Sequence, residues 1–319
     1  MKIVILDGYT TNPGDLSWDW LDEYGDITVY DRTPADKILE RAKDAEILVT
    51  NKTPLTAETL SKLEKVRFIP LLSTGFNVVD VAYAKTRGIP VSNIPCYSTS
   101  AVAQITFSYI LQFANATAVH SDSVHKGEWE SNPDFCYWKT PLWELDGKTL
   151  GIIGFGKIGQ AVADIAEGFR MNVLAVSGHE TDQSARKNFS WTTLNDLLER
   201  SDIVTIHTPL TEKTTGMVNA EFISKMKDGA YLINTSRGPV LNEKAVADAL
   251  NSGKLAGVGV DVLSVEPPKP DNPLLKAKNC LITPHIAWAG FETRERLMKI
   301  CRENIDAFVK GSPINVVNP

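Results

Sequence analysis

The chain has no uninterrupted apolar run of membrane-spanning length, no Cys-x-x-Cys pair and no excess of positive charge. Each absence removes a class of protein. Without a span the chain reads as cytosolic, and its cytoplasmic character carries no membrane partner. The opening run from Met1 to Leu6 is too short for a secretory segment and ends in the turn pair Asp7-Gly8, so it reads as a first buried strand. Four cysteines, Cys96, Cys136, Cys280 and Cys301, lie far apart, which excludes a zinc site or a disulfide framework and reads as four buried, reduced thiols. No metal is expected. The formal net charge of -6 argues against nucleic acid as a partner. Residues 1–98 also lack any G-x-G-x-x-G pattern, so that part should bind something other than a nucleotide.

What is present is organised around one stretch, Thr149 to Ser177. Leu150, Ile152 and Ile153 form a strand-like run, and Gly154, Gly156 and Gly159 follow at G-x-G-x-x-G spacing. A helical pattern of Ile158, Val162, Ile165 and Phe169 comes next, and a second strand, Val173 to Val176, returns after it. That order suits a dinucleotide. The first glycine permits a tight turn, the second lets the backbone approach a pyrophosphate, and the third lets helix and strand pack closely. Free N–H groups at the helix start then face the phosphates.

With 319 residues there is room for two domains. Before Ser98, the runs Ile3–Leu6, Ile27–Tyr30, Ile47–Thr50 and Phe68–Leu72 alternate with helical segments, one of them opened by Thr33 as cap and Pro34 at its first position. Alternation of this kind predicts a parallel sheet covered on both faces. The loops Asn51–Thr53 and Ser73–Asn77 then sit at strand carboxyl ends, where such sheets bind ligands. A stretch without Gly or Pro, Thr99 to Val124, predicts one long helix able to bridge two domains, with His120 and His125 solvated on or after it. Lys126 to Asp146 is loop-like but carries Trp129, Phe135, Tyr137, Trp138 and Trp143, which reads as either a packed loop or a subunit interface. Further strands are expected at Ile203–Ile206, Tyr231–Asn234, Val258–Asp261 and Leu281–Ile282, followed by a final helix from Glu292 to Val309 that returns to the first domain.

Each later strand ends in polar residues that line one crevice: His207-Thr208, Thr235-Ser236-Arg237, Asp261 with Glu266, and Thr283-Pro284-His285. Hydride chemistry on a carbonyl needs a cation for orientation and an acid for the proton. Arg237, after a buried strand and before Gly238-Pro239, can grip a carboxylate with two parallel hydrogen bonds. Among five histidines His285 ranks first as acid or base, with His207 its rival because it too ends a strand. A carboxylate beside an imidazole favours its charged form, and Glu266 is the candidate. The sequence leaves open which of the two histidines Glu266 meets.

Over nearly its whole length the chain resembles the D-isomer-specific 2-hydroxyacid dehydrogenases. The matching stretches are Leu150–Gly159, Asn234–Val240, Gly257–Glu266 and Thr283–Trp288, while Asn12–Trp18, Ala101–Gln104 and Trp288 look most like the glycerate dehydrogenase (hydroxypyruvate reductase) branch. The resemblance implies an α/β fold of two doubly wound parallel-sheet domains. One is a Rossmann dinucleotide-binding domain, residues 99–288; the other is a smaller flavodoxin-like substrate domain, residues 1–98 plus 289–319. It implies Arg237, Glu266 and His285 as the catalytic set. Backbone N–H groups around Thr74 and Gly75 would hold the substrate carboxylate, with Arg237 and Trp288 also binding substrate. Val102, Lys157, Ile158, Thr208, Thr235 and Asp261 would line the cofactor beside the three glycines, Ser177, His207 and Ser236, with Asp261 meeting the nicotinamide amide. It also implies a homodimer built from the long helix and the loop after it.

One position departs from the family pattern. NAD-dependent members end the second strand of the nucleotide domain with an acid that binds the ribose hydroxyls, and this chain has Ser177 there, followed by Gly178, His179 and Glu180. Loss of the carboxylate removes repulsion against a 2′-phosphate, so the expected cofactor is NAD(P)H, with NADPH accepted or preferred; Glu180 is the alternative contact to the ribose. The activity so implied is reduction of a short 2-oxoacid, hydroxypyruvate or glyoxylate first, to the D-2-hydroxyacid. D-Lactate or another D-2-hydroxyacid dehydrogenase is the alternative, and phosphoglycerate dehydrogenase a further one. Formate dehydrogenase is disfavoured because it has glutamine where this chain has Glu266. A nicotinamide-sensing co-repressor is the reading from another class.

Overall fold

The inner strands are short aliphatic runs buried on both faces, which is what a parallel sheet between two helical layers requires. The computed structural model describes residues 1–319, and these form two units, Met1–Ser98 with Trp288–Pro319, and Thr99–Ala287.

In the first unit the order is β1 (Lys2–Ile5), β2 (Asp26–Val29), α1 (Ile38–Ala42), β3 (Ile47–Val49), α2 (Ala57–Ser61), β4 (Ile69–Pro70), α3 (Val81–Thr86) and β5 (Val91–Ser92). The sheet runs β2-β1-β3, and parallel bridges Ile47–Phe68 and Thr50–Leu71 carry it on to the β4-β5 pair. Ile3, Ile5, Ile47 and Val49 enter one core with Leu297, Met298, Cys301 and Ile305 of the long C-terminal helix Phe291–Val309. Val4, Leu6 and Leu48 enter the opposite core with Leu55, Leu60 and Val91. Each such side chain contributes roughly 1.5–3 kcal/mol on burial, so a one-residue slip of a strand, which would exchange its faces, is strongly disfavoured. The Asp7 carboxylate after β1 accepts the backbone N–H groups of Asn51, Lys52 and Thr53 at 2.6–2.8 Å, fixing the loop after β3. Arg294 grips Asp15 through two bonds of 2.7 and 2.6 Å and donates to the carbonyls of Thr11 and Ala289, which explains the acid in Asn12–Trp18.

The second unit contains α4 (Thr99–Asn115), α5 (Thr117–His125), β6 (Thr149–Ile153), α6 (Lys157–Gly168), β7 (Asn172–Val176), β8 (Phe189–Trp191), α7 (Leu194–Arg200), β9 (Ile203–Ile206), α8 (Ala220–Lys225), β10 (Ala230–Asn234), α9 (Glu243–Ser252), β11 (Leu255–Val260) and β12 (Cys280–Ile282). Its seven-stranded sheet has the order β12-β11-β10-β9-β6-β7-β8, every pair parallel. Strand order therefore reverses between β6 and β9, and that junction is the switch point of a doubly wound fold. Val258 and Val260 face one core, while Gly257 and Gly259 face α4 so closely that a Cβ would lie 2.6 Å from the rings of Phe113 and Tyr109. The glycines of the Gly257–Asp261 stretch thus serve helix-to-sheet approach. No helix is long and apolar enough to cross a membrane.

Several expectations are corrected. The long helix is two, broken at Ala116, whose φ of 44° is left-handed, and both halves lie in the second unit. His120 is not simply solvated: its Nδ1 meets the Ala116 carbonyl at 2.9 Å and its Nε2 accepts the Lys139 N–H at 3.0 Å, tying the aromatic loop to that break. Thr33 caps no helix; its hydroxyl donates to the Leu6 carbonyl, and a short 3-10 turn, Ala35–Lys37, precedes α1. Only Cys301 is buried, Cys280 is half-buried, and Cys96 and Cys136 are exposed. Burial pushes the Cys280 and Cys301 thiols up to about 12. Trp288 falls in the first unit, one residue from the expected boundary, because its ring packs edge-on against Tyr97.

Candidate active site

At the switch point the glycine turn follows β6. Gly154 has φ 93°, and a Cβ there would lie 2.6 Å from the His207 carbonyl oxygen at the end of β9. A Cβ on Gly159 would strike the Gly154 carbonyl at 2.3 Å, whereas one on Gly156 would meet nothing within 4 Å. The first and third glycines are therefore demanded by packing and the second by open space over the turn. Gly156 is also the N-cap of α6 and offers no side-chain cap, so the first N–H groups of the helix stay directed at that space. The turn has the shape of a pyrophosphate cradle, and the residues present fit a dinucleotide. Phe155 is buried between Phe189 and Trp191. Lys157 is exposed and Ile158 half-buried beside the turn, and Val102 on α4 is buried. Thr208 follows His207, and Thr235 after β10 lies 3.4 Å, hydroxyl to hydroxyl, from Thr106 of α4. Ser177 directly follows β7, with its hydroxyl accepting the His179 N–H at 3.3 Å, and no carboxylate shares that position.

The chemical end lies on the neighbouring loops after β10, β11 and β12. Asn234, the last residue of β10, accepts the N–H and hydroxyl of Ser236 and donates to the Arg237 carbonyl, closing the turn that presents Arg237. Arg237 is exposed, has no ion-pair partner in the chain, and donates only to the Ser236 carbonyl. A Cβ on Gly238 would overlap the Leu263 backbone at 1.9 Å, so the Arg237 turn rests on the loop after β11. In that loop Glu266 accepts the Leu263 N–H with Oε1 at 3.0 Å and meets His285 Nδ1 with Oε2 at 2.6 Å. Contacts thus run from Arg237 through Leu263 and Glu266 to His285. With Nδ1 committed to the carboxylate, Nε2 is the nitrogen left to exchange a proton. His285 and Glu266 side chains keep 28% and 35% of their surface, enough to reach a small molecule.

His207, the rival, is a different group. Both its ring nitrogens are buried without a partner, and burial pushes its pKa down to about 3, although other atoms leave the residue half-buried. A base that charges only near 3 is no proton donor at neutral pH. The same fact predicts acid sensitivity. The unfolded chain takes up this proton near 6.5 and the folded chain does not until about 3, so stability falls as pH drops through 6.5. At pH 5 the loss from this group is about 2 kcal/mol. His207→Phe should flatten the decline in denaturant midpoint between pH 7 and 5; an unchanged slope would contradict this assignment.

Asp261 is 1% exposed, and burial raises its pKa. Its Oδ1 accepts the Thr283 hydroxyl at 2.5 Å and the Ile286 N–H at 2.8 Å, and Oδ2 accepts the Ala287 N–H at 2.9 Å. Its carboxylate therefore holds the His285 loop, a task that the residue pattern did not announce. Asn234 and Thr283 were likewise not singled out as positioning groups, although an Asn at a strand end is a usable signal of a side-chain-closed turn. In the first unit, Thr74 donates its hydroxyl to the Ile94 carbonyl and Ser73 donates to the Gly75 carbonyl. The backbone N–H groups of Thr74 and Gly75 donate to nothing within the chain.

A glycine turn at the switch point of a doubly wound parallel sheet, with a carboxylate-supported histidine on the adjoining loops, defines a nicotinamide-dependent hydride-transfer enzyme. Residues 107–287 match the family model described as D-isomer specific 2-hydroxyacid dehydrogenase, NAD binding domain. The chain is 51% identical over 321 residues to the hydroxypyruvate reductase of Blautia hydrogenotrophica, covering 100% of both chains. It is 38% identical to the glycerate dehydrogenase of Methylorubrum extorquens, over 99% of this chain and 98% of that one. Among solved structures, the acyclic imino acid reductase Bsp5, in complex with NADPH and D-Arg, superposes with a TM-score of 0.86 at 30% identity, over 99% and 100% of the two chains. The chain belongs to the D-isomer-specific 2-hydroxyacid dehydrogenase family. It is an oxidoreductase of the CH–OH group.

Proposed function

We propose that this dehydrogenase reduces hydroxypyruvate and glyoxylate to the corresponding 2-hydroxyacids, glycerate in the D configuration. The observation that carries the reading is the 2.6 Å contact between His285 Nδ1 and Glu266, set one loop away from the exposed guanidinium of Arg237. Arg237 binds the substrate carboxylate and polarises its carbonyl. His285 gives its Nε2 proton to the carbonyl oxygen, and Glu266 keeps the imidazole charged and turned outward. Bound reduced nicotinamide supplies the hydride. Gly154, Gly156, Lys157, Ile158 and Gly159 hold the pyrophosphate end, while Val102, His207, Thr208, Thr235, Ser236 and Asp261 line the rest. Asp261's amide contact, on this reading, is made from a carboxylate that already anchors the His285 loop. Thr74, Gly75 and Trp288 are proposed as substrate-binding positions, the first two through their undonated N–H groups.

NADPH is proposed as an accepted cofactor. Ser177 puts no negative charge at the ribose end, and the imino acid reductase neighbour carries NADPH. The protein is also proposed to be a cytoplasmic homodimer, since Trp129, Phe135, Trp138 and Leu142 are all at least half exposed along one loop; a solution mass of one chain would contradict that. The test of activity is a panel of hydroxypyruvate, glyoxylate, pyruvate, phenylpyruvate and a branched 2-oxoacid, each with NADH and NADPH. Hydroxypyruvate and glyoxylate should exceed the bulkier acids by about tenfold or more in kcat/KM, the range one or two extra side-chain groups command. NADPH should support turnover with them. Failure to reduce any of the five would overturn the reading, and strict NADH dependence would overturn the part assigned to Ser177.

A further inference from the structure

His285 has a left-handed backbone, φ 55°. For a residue with a Cβ that conformation is costly, and it persists only where surrounding bonds over-determine it. Those bonds converge on two residues. The His285 N–H donates to the Asp261 and Thr283 carbonyls, both at 2.9 Å, and the next two N–H groups, of Ile286 and Ala287, go to the Asp261 carboxylate. The direction of that carboxylate is fixed in turn by the Thr283 hydroxyl, 2.5 Å from Oδ1. Behind it stands Tyr109 of α4, whose hydroxyl lies 2.5 Å from Thr283 Oγ1 and donates to the Val260 carbonyl at 2.9 Å. Tyr109 is buried and is held against β11 by the space that Gly259 leaves.

We propose that Thr283 and Tyr109 are positioning residues for the proton donor: through Asp261 they lock the backbone at His285 so that Nδ1 stays on Glu266. The proposal rests on the reading of His285 as the acid. Thr283 spends its single proton on the Asp261 carboxylate, and the one Tyr109 proton is shared between Thr283 Oγ1 and the Val260 carbonyl, so the phenol steadies the threonine and the threonine steadies the acid. Neither touches a reacting atom. Burial raises both Asp261 and Tyr109 above their usual ranges, consistent with a chain of hydroxyls in place of a cation around that carboxyl. The titratable groups facing the loop are Glu266 and Asp261 after β11, Tyr109 on α4, and Cys280 on β12, which faces Tyr109. Loss of the threonine hydroxyl frees the His285 loop, and the imidazole then leaves the Glu266 carboxylate that holds Nδ1.

Three variants test this, read by kcat for 2-oxoacid reduction and by the NMR resonance of the proton between His285 Nδ1 and Glu266 in the protein alone. Thr283→Val, nearly isosteric but without the hydroxyl, should lower kcat about tenfold, the effect of a misplaced proton donor, and broaden or abolish that resonance. Thr283→Ser restores the hydroxyl and should return both readouts close to wild type. Tyr109→Phe should act in the same direction and more weakly, and it serves if the valine variant does not fold. A wild-type resonance in both Thr283→Val and Tyr109→Phe overturns the proposal whatever the activity does. Equal losses in Thr283→Val and Thr283→Ser overturn it as well, because packing alone would then be at stake. The resonance needs no turnover, so failure of the substrate reading is seen separately, in the wild-type panel.

Discussion

Replacing His285 by alanine is expected to lower kcat for 2-oxoacid reduction by about 10²–10⁴-fold, the worth of a positioned proton donor, or about 3–5 kcal/mol of barrier. Dinucleotide affinity should stay close to wild type, because the glycine turn and α6 are separate from the loop after β12. Glu266→Gln is the companion. It keeps an acceptor for Nδ1 but removes the charge, so kcat should fall while dinucleotide affinity stays close to wild type. Kinetics of the alanine variant within a few-fold of wild type would remove His285 from the mechanism.

Arg237→Ala should cost about 10³-fold in kcat/KM, comparable with removing a preorganised donor from a developing oxyanion and a charged partner from a carboxylate. Both kcat and KM should change, since one guanidinium serves binding and polarisation together. Arg237→Lys should recover only part of the loss, because an ammonium cannot supply two parallel bonds. Guanidinium ion added to the alanine variant gives a direct check, with partial recovery expected. Wild-type KM in Arg237→Ala would show that the carboxylate is bound elsewhere.

Much of this arrangement is legible in the sequence. The three glycines mark the turn and its place between strand and helix, and what a Cβ would meet at each gives its reason: the His207 backbone at Gly154, open space at Gly156, the Gly154 carbonyl at Gly159. Arg237, Glu266 and His285 could be named because each ends a buried strand or lies in the loop after one. His285 ranks above His207 on sequence alone, but which ring meets Glu266 and which is buried with both nitrogens unpaired is visible only in the fold. Sequence distance is blind to that. The positioning roles of Asn234, Thr283 and Tyr109 are not legible there, because the bonds of Asn234 to the Arg237 carbonyl and of Thr283 to Tyr109 and Asp261 leave no periodic trace. The break at Ala116 was missed for the opposite reason. An apolar helical pattern without Gly or Pro continues through it, and the break is marked by His120, whose Nδ1 meets the Ala116 carbonyl while its Nε2 accepts the distant Lys139 N–H.

The most direct measurement is a ternary complex with dinucleotide and an unreactive 2-oxoacid analogue. His285 Nε2 and an Arg237 nitrogen should both lie within about 2.6–3.2 Å of the carbonyl oxygen, with Glu266 still on Nδ1. An imidazole turned away from that oxygen, or a guanidinium too remote to share the same small molecule, would contradict the account.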